Sequence, residues 1–472
     1  MKNLTQAEVG TRLDRLKWSH FHTTILVALG AGWLFDSFEV QMFSSAVSPL
    51  GNYFGASVFE RDAILAVWLG GILLGALSGG WLTDRFGRRR LFVATLIWYA
   101  GFTMLTGLSP ALGYVYLFRF LAALGVGAEY AIVNAAISEL IPARVRGKAN
   151  AVVMNFWPIG AIVAGILSFF VLDTFAVSDA LSWRYLFVFG GAIALVVLLF
   201  RRRIPESPRW LVSQGRFEEA ETILSKLESR TLESKDESLV LTFERPVQNT
   251  PQGLVELIRH YPGRLALGAT LDLAEAFGYY GIFALLSVVV LHEVNISNRL
   301  IPFFYIIGNV GGLAGGLVMT IFFDRIGHRL TVGLSYFAAA LGVALLALAT
   351  STGSGTWVTL AFVIANGAGT AAWTSAYPTF TELFPTHLRG IGVGASVAVG
   401  RIGAIFGTLM LPAIATNLGA TASYLLVIAF WAIGVIAISL FSLRGGIEAA
   451  RRPLEMLSKV SPSLSVRRQA EA

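Results

Sequence analysis

The strongest constraint on this chain is a succession of apolar runs, each about 18 to 28 residues long, enough for a helix to cross a hydrocarbon core of about 30 Å. They fall at 21–49, 61–82, 90–109, 111–138, 148–171, 184–202, 264–291, 300–323, 330–350, 356–381, 389–416 and 420–443. A helix satisfies its own backbone in lipid. Barrel strands would instead alternate polar and apolar residues over about ten positions, and these runs do not alternate. The expectation is an all-α membrane protein of about twelve spans. Eleven or thirteen are the neighbouring counts, because the fourth and tenth runs follow directly from short loops. Only 14% of the residues are charged, against about 25% in a soluble domain.

The N-terminus is polar and basic as far as His22. The first apolar run is too long for a cleaved leader and lacks a small-residue cleavage site, so it should remain as the first helix. There is no cysteine, hence neither disulfide nor thiol chemistry. The net charge of +7 is unevenly placed: Lys and Arg cluster at 12–17, 85–90, 144–148, 201–203, 325–329 and 444–452. With twelve spans all of these fall on one side, opposite loops that hold little beyond Arg61 and Arg299. The positive-inside rule places that side, and both termini, in the cytoplasm; the expected location is a plasma membrane, and the lack of cysteine is compatible with a bacterial inner one. These clusters are topology signals, not a nucleic-acid surface.

The chain repeats itself. A shift of 240 residues aligns Gly71, Gly75, Asp84, Arg85, Gly87 and Arg89 with Gly311, Gly315, Asp324, Arg325, Gly327 and Arg329. A shift of 243 aligns Glu139-Leu-Ile-Pro…Arg146-Gly147 with Glu382-Leu-Phe-Pro…Arg389-Gly390. A shift of 236 aligns Asp36 and Glu39 with Asp272 and Glu275. Matches in one order at nearly constant offset mark two parallel repeats of six helices. The expected organisation is a cytoplasmic segment 1–20, a bundle 21–202, a linker 203–263, a second bundle 264–443 and a tail 444–472. Phe217, Ala220, Ile223, Leu224 and Leu227 share one side at helical spacing, so the linker should carry short amphipathic helices.

The residues Gly80-x-x-x-Asp84-Arg85-x-Gly87-Arg88-Arg89, their copy Asp324-Arg325-Ile-Gly-His-Arg329, the doubled Glu-x-x-Pro-x-x-x-Arg-Gly and Pro205-Glu-Ser-Pro-Arg-Trp-Leu211 resemble the major facilitator superfamily. Within it they resemble the sugar-porter, organic-ion and synaptic-vesicle-2-like branches. Helix seven reads Asp272-Leu-Ala-Glu275-Ala-Phe277-Gly-Tyr279-Tyr280 and lacks the Gln-Gln pair usual in sugar porters. The first helix, Phe35-Asp36-Ser-Phe-Glu39, is similar to the acidic first helix of nicotinate-type, aromatic-acid and synaptic-vesicle-2-like porters. The resemblance implies a carrier of small organic ions, often linked to protons.

Ionisable residues at bilayer depth are functional candidates by default. Asp36 and Glu39, like Asp272 and Glu275, are three apart and so share a helix face; with Glu129 they are the candidates for proton coupling. Arg401 aligns with Pro158, and Arg119 and Glu129 align with Phe362 and Ala372. Such unmatched charges suit substrate chemistry better than architecture, and a guanidinium fork suits a carboxylate. Arg401 and Arg119 are therefore substrate-binding candidates, each with permanent pairing to a buried acid as the alternative. Trp157, Tyr279, Tyr280, Trp373 and Tyr377 join them as surfaces for a planar ring, with Trp33 and Phe277 at similar depth. Asp84, Arg85, Gly87, Arg88, Asp324 and Arg325 in the repeated turn are gating candidates. So are Glu139, Arg146, Glu206, Arg209, Glu382 and Arg389 at the basic helix ends. The glycine rows 71/75/79 and 308/312/316 are packing surfaces.

The sum is a secondary transporter that moves a small organic solute, a carboxylate by preference, through proton symport and alternating access, working as a monomer in the bilayer. A sugar or organic-cation porter and a non-transporting sensor of the same fold are the alternatives. No enzyme, cofactor or metal is expected: His292-Glu293 lacks a second His at the needed spacing, and neither a phosphate loop nor a Gly-x-Ser-x-Gly elbow occurs.

Overall fold

The computed structural model describes residues 6–171, 179–201, 204–231, 253–296, 300–384 and 388–446. The first bundle contains α2 (His20–Phe54), α3 (Val58–Phe86), α4 (Arg88–Gly107), α5 (Leu112–Leu140), α6 (Ala143–Met154), α7 (Phe156–Phe169) and α8 (Asp179–Arg201). The second contains α12 (Pro262–Leu285), the short α13 (Leu291–Glu293), α14 (Ile301–Ile326), α15 (His328–Ser351), α16 (Gly355–Leu383), α17 (Arg389–Leu418) and α18 (Ala420–Leu443). Outside the bundles lie α1 (Gln6–Arg15), α9 (Pro208–Ser213), α10 (Phe217–Thr231) and α11 (Gly253–His260). Counting α6–α7 as one span and α12–α13 as another, each bundle has six.

The repeated turn has the same backbone in both halves. Gly87 at φ 87° and Gly327 at φ 96° separate α3 from α4 and α14 from α15. Side chains rarely adopt that region, so the chain reverses at the two glycines within a single residue. A Ser57–Glu60 capping box starts α3: Ser57 N–H donates to Glu60 Oε2 at 2.8 Å, and Glu60 N–H returns to Ser57 Oγ at 3.3 Å.

Most helices differ from their sequence bounds by a few residues, and three do so in ways that shape the fold. The first helix extends to Phe54, where Gly55 caps it at φ 64°. The fifth begins earlier, at Ala143, and breaks at Asn155, because Pro158 has no N–H for the preceding turn. Asn155 fills the gap by donating from Nδ2 to Ala151 O and to Thr320 Oγ1 of α14, both at 2.8 Å. The seventh passes through a wider turn over Leu286–Val290 before α13.

Among the described residues, eleven helices are long and apolar enough to span a membrane. The twelfth, α16, has the length but buries Asn366, Thr370, Thr374 and Ser375. Its polarity marks a helix that faces the molecular interior. Large apolar side chains such as Leu341, Leu348 and Leu425 are exposed on the outer wall, as a lipid-facing surface requires.

Glycines decide which backbones touch. A Cβ at Gly75 or Gly79 would strike the backbone of α5, and one at Gly311 or Gly315 that of α16. Gly316 instead faces Asn155 of the other bundle, and Gly312 faces Thr370 and Asn366 of α16 with Pro158 of the other bundle next at 3.6 Å. The second glycine row is thus partly an interface between bundles. At the basic end, a Cβ on Gly80 would lie 2.9 Å from the carbonyl carbon of Gly390, so α3 and α17 close that end. At the other end Phe169 meets Phe303 with ring centroids 4.8 Å apart.

A second, small core lies at the basic end. Val9, Leu13 and Leu16, from α1 and the residue just after it, pack on Trp210, Leu211, Ala220 and Leu224 of α9 and α10. Arg12 clamps it, donating to Glu221 and Glu228 at 2.5–2.8 Å.

Candidate transport site

Arg401 lies in the middle of α17 with none of its surface exposed. No hydrogen-bond partner among the described residues meets its Nε, Nη1 or Nη2. Instead the guanidinium lies over ring faces: Tyr130 at 4.9 Å, Tyr280 at 5.3 Å and Trp373 at 5.8 Å. Tyr130 belongs to the first bundle, Tyr280 and Trp373 to the second. The cation therefore sits on the seam between the two. Ring quadrupoles attract it, by about 2 kcal/mol per desolvated contact, but a ring face offers no acceptor for five N–H donors.

The rings continue into a cage. Trp33 of α2 meets Tyr130 edge-on at 4.7 Å and Tyr377 at 5.6 Å. Trp157 and Trp373 lie nearly parallel, 6.3 Å apart at 19°, and Trp373 is parallel to Tyr377 at 6.1 Å. Trp157 donates from Nε1 to the Tyr279 hydroxyl at 3.2 Å. Towards the end away from the basic clusters, a small cavity of about 50 Å³ lies between α2, α7 and α12, lined by Gln41, Ser44, Trp157, Tyr279, Tyr280 and Asn309 among others.

The buried acids are held in different ways. Glu39 takes the Thr103 hydroxyl and an Arg119 nitrogen, the latter at 3.3 Å. Arg119 is fully buried under Phe43, Trp68 and Phe187, all of the first bundle. Glu129 is paired with Arg201 at the end of α8. Asp36 accepts from Tyr130, and Glu275 accepts from Tyr336 at 2.6 Å. Asp272 is fully buried, and neither of its oxygens has a hydrogen-bond partner among the described residues.

The structure thus brings together Arg401, Trp157, Tyr279, Tyr280, Trp373 and Tyr377, with Asp36 beneath Tyr130. It takes Arg119, Glu39 and Glu129 elsewhere, into two ion pairs inside the first bundle. Phe277 stacks on Phe430 at 3.8 Å, away from the cage. Tyr130 escaped the sequence argument, although the shift of 243 residues aligns it with Trp373. These two repeat-mates flank Arg401 from opposite bundles.

At the basic end, Arg88 donates to Glu139 at 2.7 Å and to Thr83 O at 3.1 Å. Glu206 caps α4 by accepting from the backbone N–H of Arg88 at 2.8 Å and of Arg89. A Cβ on Gly87 would strike Glu206 and Trp210. Arg146 and Arg389, aligned by the repeat, each fold back to a carbonyl five residues earlier, Ile141 O and Phe384 O. Arg146 also lies 3.7 Å from Asp14. His328 approaches Glu382 at 3.5 Å, in the position that Arg88 and Glu139 hold in the first half. Arg209 is buried, whereas Arg85 and Arg325 are exposed, Arg85 over Trp81 and Phe86. The side chains of Asp84 and Asp324 lie outside the described residues.

The sequence profile of the sugar (and other) transporter family matches residues 33–460. The chain belongs to that family, within the major facilitator superfamily. A niacin transporter of Acinetobacter baylyi is 29% identical over 84% of this chain and 88% of its own. The organic cation/carnitine transporter 7 of Arabidopsis thaliana is 26% identical over 85% and 87%. The fold is that of the proton:xylose symporter bound to 6-bromo-6-deoxy-D-glucose, with a TM-score of 0.73 at 20% identity over 93% of this chain and 98% of that one. The family's members are transporters, and this chain is a membrane transporter of small solutes rather than an enzyme.

Proposed function

We propose that the chain carries a small planar carboxylate across the membrane by proton symport, rocking its two bundles about the cage. The observation that carries this reading is Arg401, a buried fork of five donors with no acceptor among the described residues, roofed by aromatic faces from both bundles. A carboxylate fits that fork through two parallel charge-assisted bonds. An attached ring would stack against Trp157, Trp373 and Tyr377 as the bundles part. An organic cation suits the cage less well, because the guanidinium already occupies the ring faces a cation would use. Niacin, the solute in the name of one relative, is a ring bearing one carboxylate. The positive-inside rule assigns the basic end to the cytoplasm, and the small cavity then lies in the outer half of the membrane, with a bacterial inner membrane as the proposed location.

The test is uptake into proteoliposomes. Nicotinate or benzoate should accumulate when the lumen is alkaline relative to the bath, and an uncoupler should abolish the gradient-driven part. Binding of sugars or amines, with no carboxylate bound, would overturn the reading.

A further inference from the structure

We propose that Asp272 is the group whose protonation is linked to carboxylate binding at Arg401. The inference rests on the reading above for the carboxylate and goes beyond it by naming the coupled acid.

Four of the five membrane-buried acids already have donors: Thr103 and Arg119 for Glu39, Arg201 for Glu129, Tyr130 for Asp36 and Tyr336 for Glu275. Among the described residues no hydrogen-bond donor meets Asp272 on either oxygen, and the carboxyl of Glu275 is its neighbour. It is wedged against Gly400, where any Cβ would overlap its Oδ2. Its carboxylate therefore lies against the α17 backbone immediately before Arg401. The groups facing it are Glu275 and Tyr280 on its own helix, Tyr336 from α15, Tyr377 from α16 and Arg401 from α17, while Asp36 and Tyr130 face Arg401 from across the cage. No ion pair joins Asp272 to Arg401, so the two charges compensate through the low-dielectric interior without a hydrogen bond.

That arrangement forces an exchange. When a carboxylate forks onto Arg401, the guanidinium is neutralised by its new partner. Asp272 is then an uncompensated buried anion beside another carboxyl group, a state too costly to persist. It takes a proton from solvent on Oδ1 or Oδ2. Before binding the site holds one guanidinium cation and one Asp272 anion. Afterwards it holds the cation, the substrate anion and a neutral Asp272, so the charge balances. Release of the carboxylate returns the proton. Coupling follows from charge balance alone, at about one proton per carboxylate.

The experiment uses the purified full chain with benzoate and nicotinate as probes. Calorimetry in two buffers of different ionisation enthalpy counts protons. Wild type should take up about one proton per probe bound, Asp272→Asn about none, and Asp272→Glu should restore the uptake. Asp272→Ser repeats the test if the Asn variant does not fold. Undiminished proton uptake in Asp272→Asn and Asp272→Ser overturns the linkage and leaves the carboxylate reading intact. Failure of wild type to bind either probe sinks that reading instead, and a probe-free arm still tests Asp272. There, Arg401→Gln should show an infrared band of a protonated carboxyl that is missing from Arg401→Gln/Asp272→Asn. Absence of that band in the single variant overturns the proposal.

Discussion

Arg401 lies 4.9 Å above the ring of Tyr130, and the two residues belong to opposite bundles. A cation of the second half thus rests on an aromatic face of the first, at the seam that rocking would open. Any anion that binds Arg401 there touches both halves at once. This is how a solute can bias a two-state carrier, since only a differential contact shifts such an equilibrium.

Arg401→Lys keeps the charge and loses the planar fork. Affinity for benzoate should fall by about 10- to 100-fold, the worth of one charge-assisted bond, as read by isothermal titration. Unchanged affinity would remove Arg401 from the site.

Glu39→Gln leaves Arg119 buried without its counter-ion. Breaking such a pair costs about 3–5 kcal/mol, so thermal unfolding in detergent should shift strongly downward. The double variant Glu39→Leu/Arg119→Met should recover most of the loss. A double variant as unstable as the single would show that the pair is not the stabilising element.

Gly80→Val puts a branched side chain where the α17 backbone at Gly390 leaves no room. The basic end should then fail to close. The chain has no cysteine of its own, so one introduced at Thr374 can be labelled cleanly. Labelling from the basic side should rise by about 10-fold, the change expected when some 1.4 kcal/mol is lost from the closed state. Equal labelling with and without Gly80→Val would mean that this contact does not hold the gate.

The Arg12 guanidinium donates to Glu221 and holds its carboxyl below the usual range. A depressed folded-state pKa means that the stabilisation is present above the ordinary glutamate pKa and is lost as pH falls through the folded value. Docking of α1 should therefore be intact at neutral pH and weaken below about pH 4. The clamp contributes on the order of 1 kcal/mol, because the groups are partly exposed, and salt should reduce it. Hydrogen exchange of α1 at pH 7, at pH 3.5 and after Arg12→Ala tests this. Protection that ignores all three changes would assign α1 to its apolar contacts alone.

Hydropathy made the twelve spans legible, and the repeat offsets made the doubled architecture legible, because both are written in local order along the chain. The turn glycines Gly87 and Gly327 were readable for the same reason: the backbone there demands their kind of residue. The break at Asn155 was less so, since a proline inside an apolar run either kinks a helix or ends it, and the partner Thr320 is 165 positions away.

What the sequence determined by itself was the list of buried charges and the two arginines, Arg119 and Arg401, without a counterpart in the repeat. It could not assign partners. Arg119 and Arg401 read alike in a string of apolar residues, yet Glu39 neutralises the first, and only ring faces meet the second. That outcome depends on which helices are neighbours and how closely glycine lets them approach, as Gly400 does for Asp272. Pairing in a low-dielectric interior is settled over a few ångströms between segments up to 80 residues or more apart, and only the tertiary packing brings those segments together.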